Sequence, residues 1–201
     1  MDARPIVAAA SESAGSPALA RAIRAASVLF VTALTAAASQ VSVPLPFTPV
    51  PLTLQPTVVL LGGALLGARL GMFSQLLYLA AGIAGLPVFA ASPLLFPGAA
   101  RLLGPTAGYL WSYPLAAFVA GALAQRGFDR RYVTAVLAMT AGLAVLYGGG
   151  VLWLVLAMGS LGAAVSAGLA PFIVADLVKL AVAAAMLPSA RRLIGRPAGR
   201  G

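Results

Sequence analysis

Asp176 and Lys179 stand three residues apart in the apolar segment PFIVADLVKLAVAAAML. At that spacing a helix projects both side chains from one face, so they can reach each other or a shared partner. A charge at mid-membrane costs about 2.5 to 3.5 kcal/mol on insertion scales, so such a pair turns toward protein or water rather than lipid. It either staples its helix into a bundle or serves a ligand, and intramembrane charges are functional by default. In the functional reading Lys179 donates to a ligand carboxylate or carbonyl, and Asp176 accepts from ligand N–H groups. A helix opening at Pro171 would put the two about 8 to 12 Å from its end at 1.5 Å per residue, within reach of an outward-opening pocket.

Other groups could join them. Arg101 offers a planar fork for a carboxylate at the outer mouth, or stands as a headgroup-facing loop arginine. Gln55 and Tyr78 are hydrogen-bonding groups in or beside apolar spans, ranked above Gln75 and Tyr109. Ala33 and Ala37 form a small-xxx-small pair where another helix can approach closely.

Whole classes of chemistry are missing. The 201 residues include no cysteine and no histidine, which removes disulfides, thiol nucleophiles, imidazole bases and His or Cys metal sites. A serine–lysine hydrolase would need Ser160 or Ser166, which sit in the small linker SLGAAVSAGLA and not on an ordered helix facing Lys179. There is no G-x-x-x-x-G-K-[ST] stretch, so the chain binds no cofactor by that route and any ATP is used elsewhere. The reading is not an enzyme.

The elements that carry these residues follow from composition. With 61% hydrophobic and 8% charged residues the chain is no ordinary soluble domain. At about 20 residues per crossing, six spans fit. They are expected at about Ala22 to Val43, two within Thr57 to Ala90 divided at Gly67-Ala68-Arg69-Leu70-Gly71, then Thr106 to Gln125, Tyr132 to Gly159, and Pro171 to Leu187. The Gly148 to Gly150 run permits a bend or a close approach. Residues 1–21 read as a disordered cytoplasmic tail and 188–201 as a basic cytoplasmic tail, flanking a six-helix domain over 22–187.

Five prolines between Pro44 and Pro56 exclude a regular helix there and favour extended, pre-ordered backbone suited to capping a pocket. A second loop runs from Ala91 to Pro105. The net charge of +9 would suggest nucleic acid in a soluble protein. Here it reports topology instead, and no nucleic-acid partner is expected. With both termini inside, eleven of thirteen basic residues fall on the cytoplasmic side, leaving Arg101 and Lys179 as the exceptions.

The blocks LPFTPVPLTLQP, GARLG, YLAAGIAGLPVFA, GPTAGYL and PFIVADLVK, in this order, resemble the BioY family, the biotin-specific substrate-binding (S) component of energy-coupling factor (ECF) transporters. The resemblance covers about residues 25–187. It implies an all-α, six-helix S-component bundle in the bacterial cytoplasmic membrane, with an outer biotin pocket closed by the first loop. It further implies a transmembrane coupling subunit met by the alanines matching Ala33 and Ala37, and two cytoplasmic ATPase subunits. The family's acid and lysine on the last helix match Asp176 and Lys179. The rival reading is an autonomous proton-coupled carrier of biotin or a similar small carboxylate, in which Asp176 exchanges the proton.

Overall fold

A computed structural model of the chain describes residues 5–12, 15–90 and 98–194. Pro93 and Pro97 of the second loop, and Asp2, Arg4, Arg196 and Arg200 of the two ends, lie outside the described residues.

The described residues are all-helical apart from one small hairpin and the connecting turns and loops. The chain runs α1 (Ile6–Glu12), α2 (Pro17–Gln40), β1 (Ser42–Val43), β2 (Leu52–Thr53), α3 (Gln55–Leu66), α4 (Ala68–Ile83), a 3-10 turn (Gly98–Leu103) and α5 (Ala107–Gln125). A second 3-10 turn (Phe128–Arg130), α6 (Tyr132–Met158), α7 (Leu161–Gly168), α8 (Ile173–Ala184) and α9 (Met186–Ile194) complete it. Among the described residues four stretches are long and apolar enough to cross a membrane: α2, α5, α6 and the continuous Ile173–Arg192 segment. This is a multi-pass membrane protein. The helices α3 and α4 have 12 and 16 residues. At 1.5 Å per residue they reach about 18 and 24 Å, short of the ~30 Å hydrocarbon core.

Local chemistry explains most boundaries. Ser16 caps α2 by accepting from Leu19 N at 3.2 Å, with Pro17 in the first turn where its missing N–H costs nothing. Gly67 takes φ +84°, a region closed to most side chains, and divides α3 from α4 where the break was expected.

Several expectations are corrected. The N-terminal stretch is not wholly a tail: α1 buries Ile6 and Ser11, and Arg24 Nε donates to Ser11 Oγ at 3.1 Å. Its apolar, alanine-rich run forms a helix because α2 and α3 offer a surface to cover. The small linker is helical too, since Ser160 caps α7 by accepting from Ala163 N at 3.3 Å, and Ser166 lies within that helix.

The helix carrying Asp176 opens at Ile173, not Pro171, because Leu169 O takes both Phe172 N and Ile173 N in a preceding turn. It stops at Ala184, where Pro188 has no N–H for that residue's carbonyl, and α9 then extends into the expected C-terminal tail. The glycine run does not break α6; Gly149 lies against Ser112 and Gly150 against the Tyr109 ring. The proline-rich loop is extended and ordered, as expected, and its ends pair Ser42 with Thr53 and Val43 with Leu52 in an antiparallel hairpin.

Helices in lipid associate by close packing and hydrogen bonds rather than by hydrophobic drive. Both appear here. A Cβ on Gly63 would collide with the Ala117 backbone, so its absence lets α3 and α5 cross closely. Between α2 and α4, Thr32 Oγ1 donates to Ser74 O at 2.8 Å, and Gln75 Nε2 donates to Thr35 Oγ1 at 3.3 Å and Ser74 Oγ at 3.1 Å. The outer surface is apolar, as with Val174, Val178 and Val182 along α8.

The ends bearing arginines meet. Ala68 N donates to Gln125 Oε1 at 3.2 Å, joining the α3–α4 break to the end of α5. Arg191 Nε donates to buried Asp129 Oδ2 at 2.6 Å, joining α9 to the α5–α6 turn. The hairpin, the first 3-10 turn and the start of α8 gather at the opposite end around a cavity.

Candidate functional site

Asp176 occupies the first turn of α8, where the N-terminal end of the helix dipole favours a negative charge. It is buried on the cavity wall. Its Oδ2 accepts from Tyr147 Oη at 2.6 Å, and its Oδ1 lies 2.5 Å from Lys179 Nζ. That ion pair lacks hydrogen-bond direction, so Oδ1 accepts no well-aligned bond among the described residues. A buried carboxylate oxygen with acceptor capacity to spare is costly unless something else uses it.

Lys179 does not line the cavity. Its Nζ donates to Thr53 O at 2.7 Å, so it stands behind Asp176 and ties α8 to β2 of the first loop. A second tether holds the same loop, where Thr48 Oγ1 donates to Ala167 O at 2.6 Å. Between the tethers Val50, Pro51, Leu52 and Thr53 form the cavity's cover. A stiff proline-rich segment pinned at two points makes such a cover with little backbone entropy left to lose.

Arg101 is buried and lines the cavity with Asp176. Two tryptophans hold its segment in place. Trp111 Nε1 donates to Leu102 O at 3.1 Å, and Trp153 Nε1 donates to Gly104 O at 3.0 Å. Burial lowers the Arg101 pKa from its ordinary value, because the cation has lost water. An arriving anion would offset that loss.

Gln55 lines the cavity at the first position of α3, and its Nε2 donates to Tyr78 Oη at 2.6 Å. Tyr78 is 0% exposed and off the cavity wall; its Oη donates onward to Val88 O at 3.1 Å, so it orients Gln55 and the segment before Phe89. Tyr109 is on the wall, with Oη donating to Gly168 O at 2.7 Å. Gln75 lies far from the wall, in the seam between α2 and α4. Ala33 and Ala37 are exposed on the outer face of α2, open to a neighbouring helix.

Sequence reasoning missed Tyr147 and Tyr113, both on the wall, and the two tryptophans. Tyr147 had a legible signal: a tyrosine next to three glycines inside the longest apolar span needs a buried partner for its hydroxyl. The cavity holds about 60 Å³ for the centres of water-sized spheres, room for a few waters. Its wall is apolar with a few directed polar groups, the usual make-up of a small-molecule site.

The sequence pattern of the BioY family matches residues 11–196. The chain belongs to the BioY family. Within it, the chain is 44% identical over 155 residues to the probable biotin transporter BioY of Pyrococcus horikoshii, covering 77% of this chain and 87% of that one. It is 40% identical over 154 residues to the biotin transporter BioY of Thermotoga maritima, covering 76% and 86%. BioY proteins are transporters, so the chain is not an enzyme. The fold is shared with the crystal structure of the S-component for biotin from an ECF-type ABC transporter, at a TM-score of 0.74 and 24% identity, over 88% of this chain and 93% of that one.

Proposed function

We propose that this BioY protein captures biotin from outside the cell and delivers it inward across the bacterial cytoplasmic membrane. The carrying observation is that one buried cavity presents a carboxylate, Asp176, and a guanidinium, Arg101. Biotin offers an N–H-bearing ureido group and a carboxylate joined through an apolar body. In this reading the ureido N–H groups donate to Asp176, the carboxylate meets Arg101, and the apolar body lies against Tyr109, Tyr113 and Phe172. The printed names of the relatives support the same ligand.

At about 60 Å³ the cavity is well below the ~300 Å³ at which ligand pockets begin. Entry therefore requires the first loop to lift from its tethers at Thr48 and Thr53. Lys179 acts through that loop and through Asp176 rather than by direct contact with ligand in the closed form.

The chain crosses the membrane six times in this proposal, α3 and α4 included, with both termini on the arginine-rich, cytoplasmic side. Delivery is powered by two ATPase subunits acting through a transmembrane coupling subunit, which docks on α2 at Ala33 and Ala37. The chain itself binds no ATP. Purified protein tests the ligand directly, since a ligand that binds only the folded state raises its melting temperature. Biotin raises Tm and a panel of unrelated vitamins does not; an unchanged Tm with biotin at saturating concentration overturns the reading.

A further inference from the structure

A groove far larger than the ligand cavity runs along the outside of the bundle between α1, α2 and α3. It holds about 500 Å³ by the same measure and is lined by Ile6, Ile23, Phe30, Leu34, Leu61 and Leu65 among others. Phe30 is 66% exposed, so the groove opens toward the surroundings of the bundle. Its one hydroxyl, on Ser27, donates to Ile23 O at 2.8 Å and asks nothing of an occupant. A saturated hydrocarbon meets every requirement of such a wall.

Length and charge narrow the occupant. From Ile23 to Leu34 the groove follows α2 for about 16 Å at 1.5 Å per residue, close to half of the ~30 Å hydrocarbon core, the depth of one leaflet. At its inner end stand the exposed arginines Arg21 and Arg24 on α2 and Arg69 at the start of α4. Pro5, just before α1, packs against Gly67, which brings the Arg69 turn to this end. Among the described residues Arg24 gives only its Nε, to Ser11 Oγ, which leaves its terminal nitrogens for another acceptor. These three cations outnumber the two acids of residues 1–69, Asp2 and Glu12.

We propose that the groove seats one acyl chain of an anionic phospholipid, with the headgroup phosphate held by Arg21, Arg24 and Arg69. A protein helix is the weaker fit, because branched and aromatic side chains dominate the slot and only Ala26, Ser27 and Gly62 among its described lining are small. The small residues that admit a helix, Ala33 and Ala37, continue along α2 toward its outer end.

The test uses the full chain in nanodiscs made from equal parts of phosphatidylglycerol and phosphatidylethanolamine, with retained lipid counted by native mass spectrometry after release. Phosphatidylglycerol is expected to be retained preferentially. Arg21→Gln and Arg69→Gln each reduce that preference about five-fold, the equivalent of roughly 1 kcal/mol per basic residue near a lipid surface. Leu65→Trp fills the slot and removes the retained lipid, while the Tm increase with biotin stays as in the parent protein. Retention without headgroup preference overturns the proposal, as does retention unchanged by Leu65→Trp. Loss of coupling-subunit binding in these variants with lipid retention unaltered overturns it in favour of a protein seat.

Discussion

Asp176 is held from two sides, by Tyr147 at 2.6 Å and Lys179 at 2.5 Å, and the two contacts have different consequences when removed. Tyr147→Phe removes a hydrogen bond to a charged group, worth roughly 1.5 to 3 kcal/mol, and frees the carboxylate to rotate. Biotin affinity measured by calorimetry should fall about ten-fold or more, with insertion and expression unchanged. Asp176→Asn should weaken binding at least as much, because an amide presents a donor where ligand N–H groups need an acceptor. Lys179→Met loses the Thr53 tether as well as the ion pair, so its signature is kinetic. Stopped-flow measurements should show faster biotin dissociation, since the loop over the cavity is released. Two normal affinities in the Asp176 and Tyr147 variants would remove this carboxylate from the site.

At the scale of elements, the crossing of α3 and α5 rests on the absence of one side chain. Gly63→Ala places a methyl group against the Ala117 backbone, which cannot swing aside as a side-chain tip can. Overpacking of this kind costs about 1 to 3 kcal/mol, to be read as a lower Tm in detergent. A second contact holds the arginine-bearing end of the bundle. Arg191→Gln leaves Asp129 buried without its partner. The loss should be roughly 1 to 3 kcal/mol, below the 3 to 5 of a fully buried pair because Arg191 is partly exposed. Biotin binding, at the far end, should change little in that variant.

The same scale shows what was legible beforehand. The spans carrying α2, α5 and α6 were read to within a few residues because lipid demands long apolar runs that satisfy their own backbone. Asp176 stood out because charge is rare at that depth. By contrast the residues of α1 and α7 look in the sequence like a tail and a linker. Short alanine-rich segments fold only against a neighbour, and a sequence does not display its neighbours. The sequence marks Tyr78 only as a hydroxyl in an apolar span; its bonds with Gln55 Nε2 and Val88 O depend on packing that the sequence does not display. The three-residue spacing pairs Lys179 with Asp176, but its reach to Thr53 joins residues 126 positions apart and has no local trace.

For the molecule as a whole, topology is the property with the sharpest test. The chain has no cysteine, so each introduced thiol is the only one present. Leu103→Cys lies in the exposed part of the outer 3-10 turn and Arg130→Cys in the opposite turn. A membrane-impermeant maleimide applied to intact cells should label the first and reach the second only after permeabilisation. The reverse pattern would invert the proposed orientation.

The charges at the cavity carry an electrical consequence. Asp176 and Arg101 on the wall, with Lys179 paired to Asp176 behind it, sum to a formal charge of +1. A monocarboxylate cancels it on arrival. Each uncompensated charge moved across a membrane feels about 2.3 kcal/mol per 100 mV. In the proposed cycle the loaded site is therefore neutral in these groups, and the electrical bias they contribute falls on the return of the empty carrier.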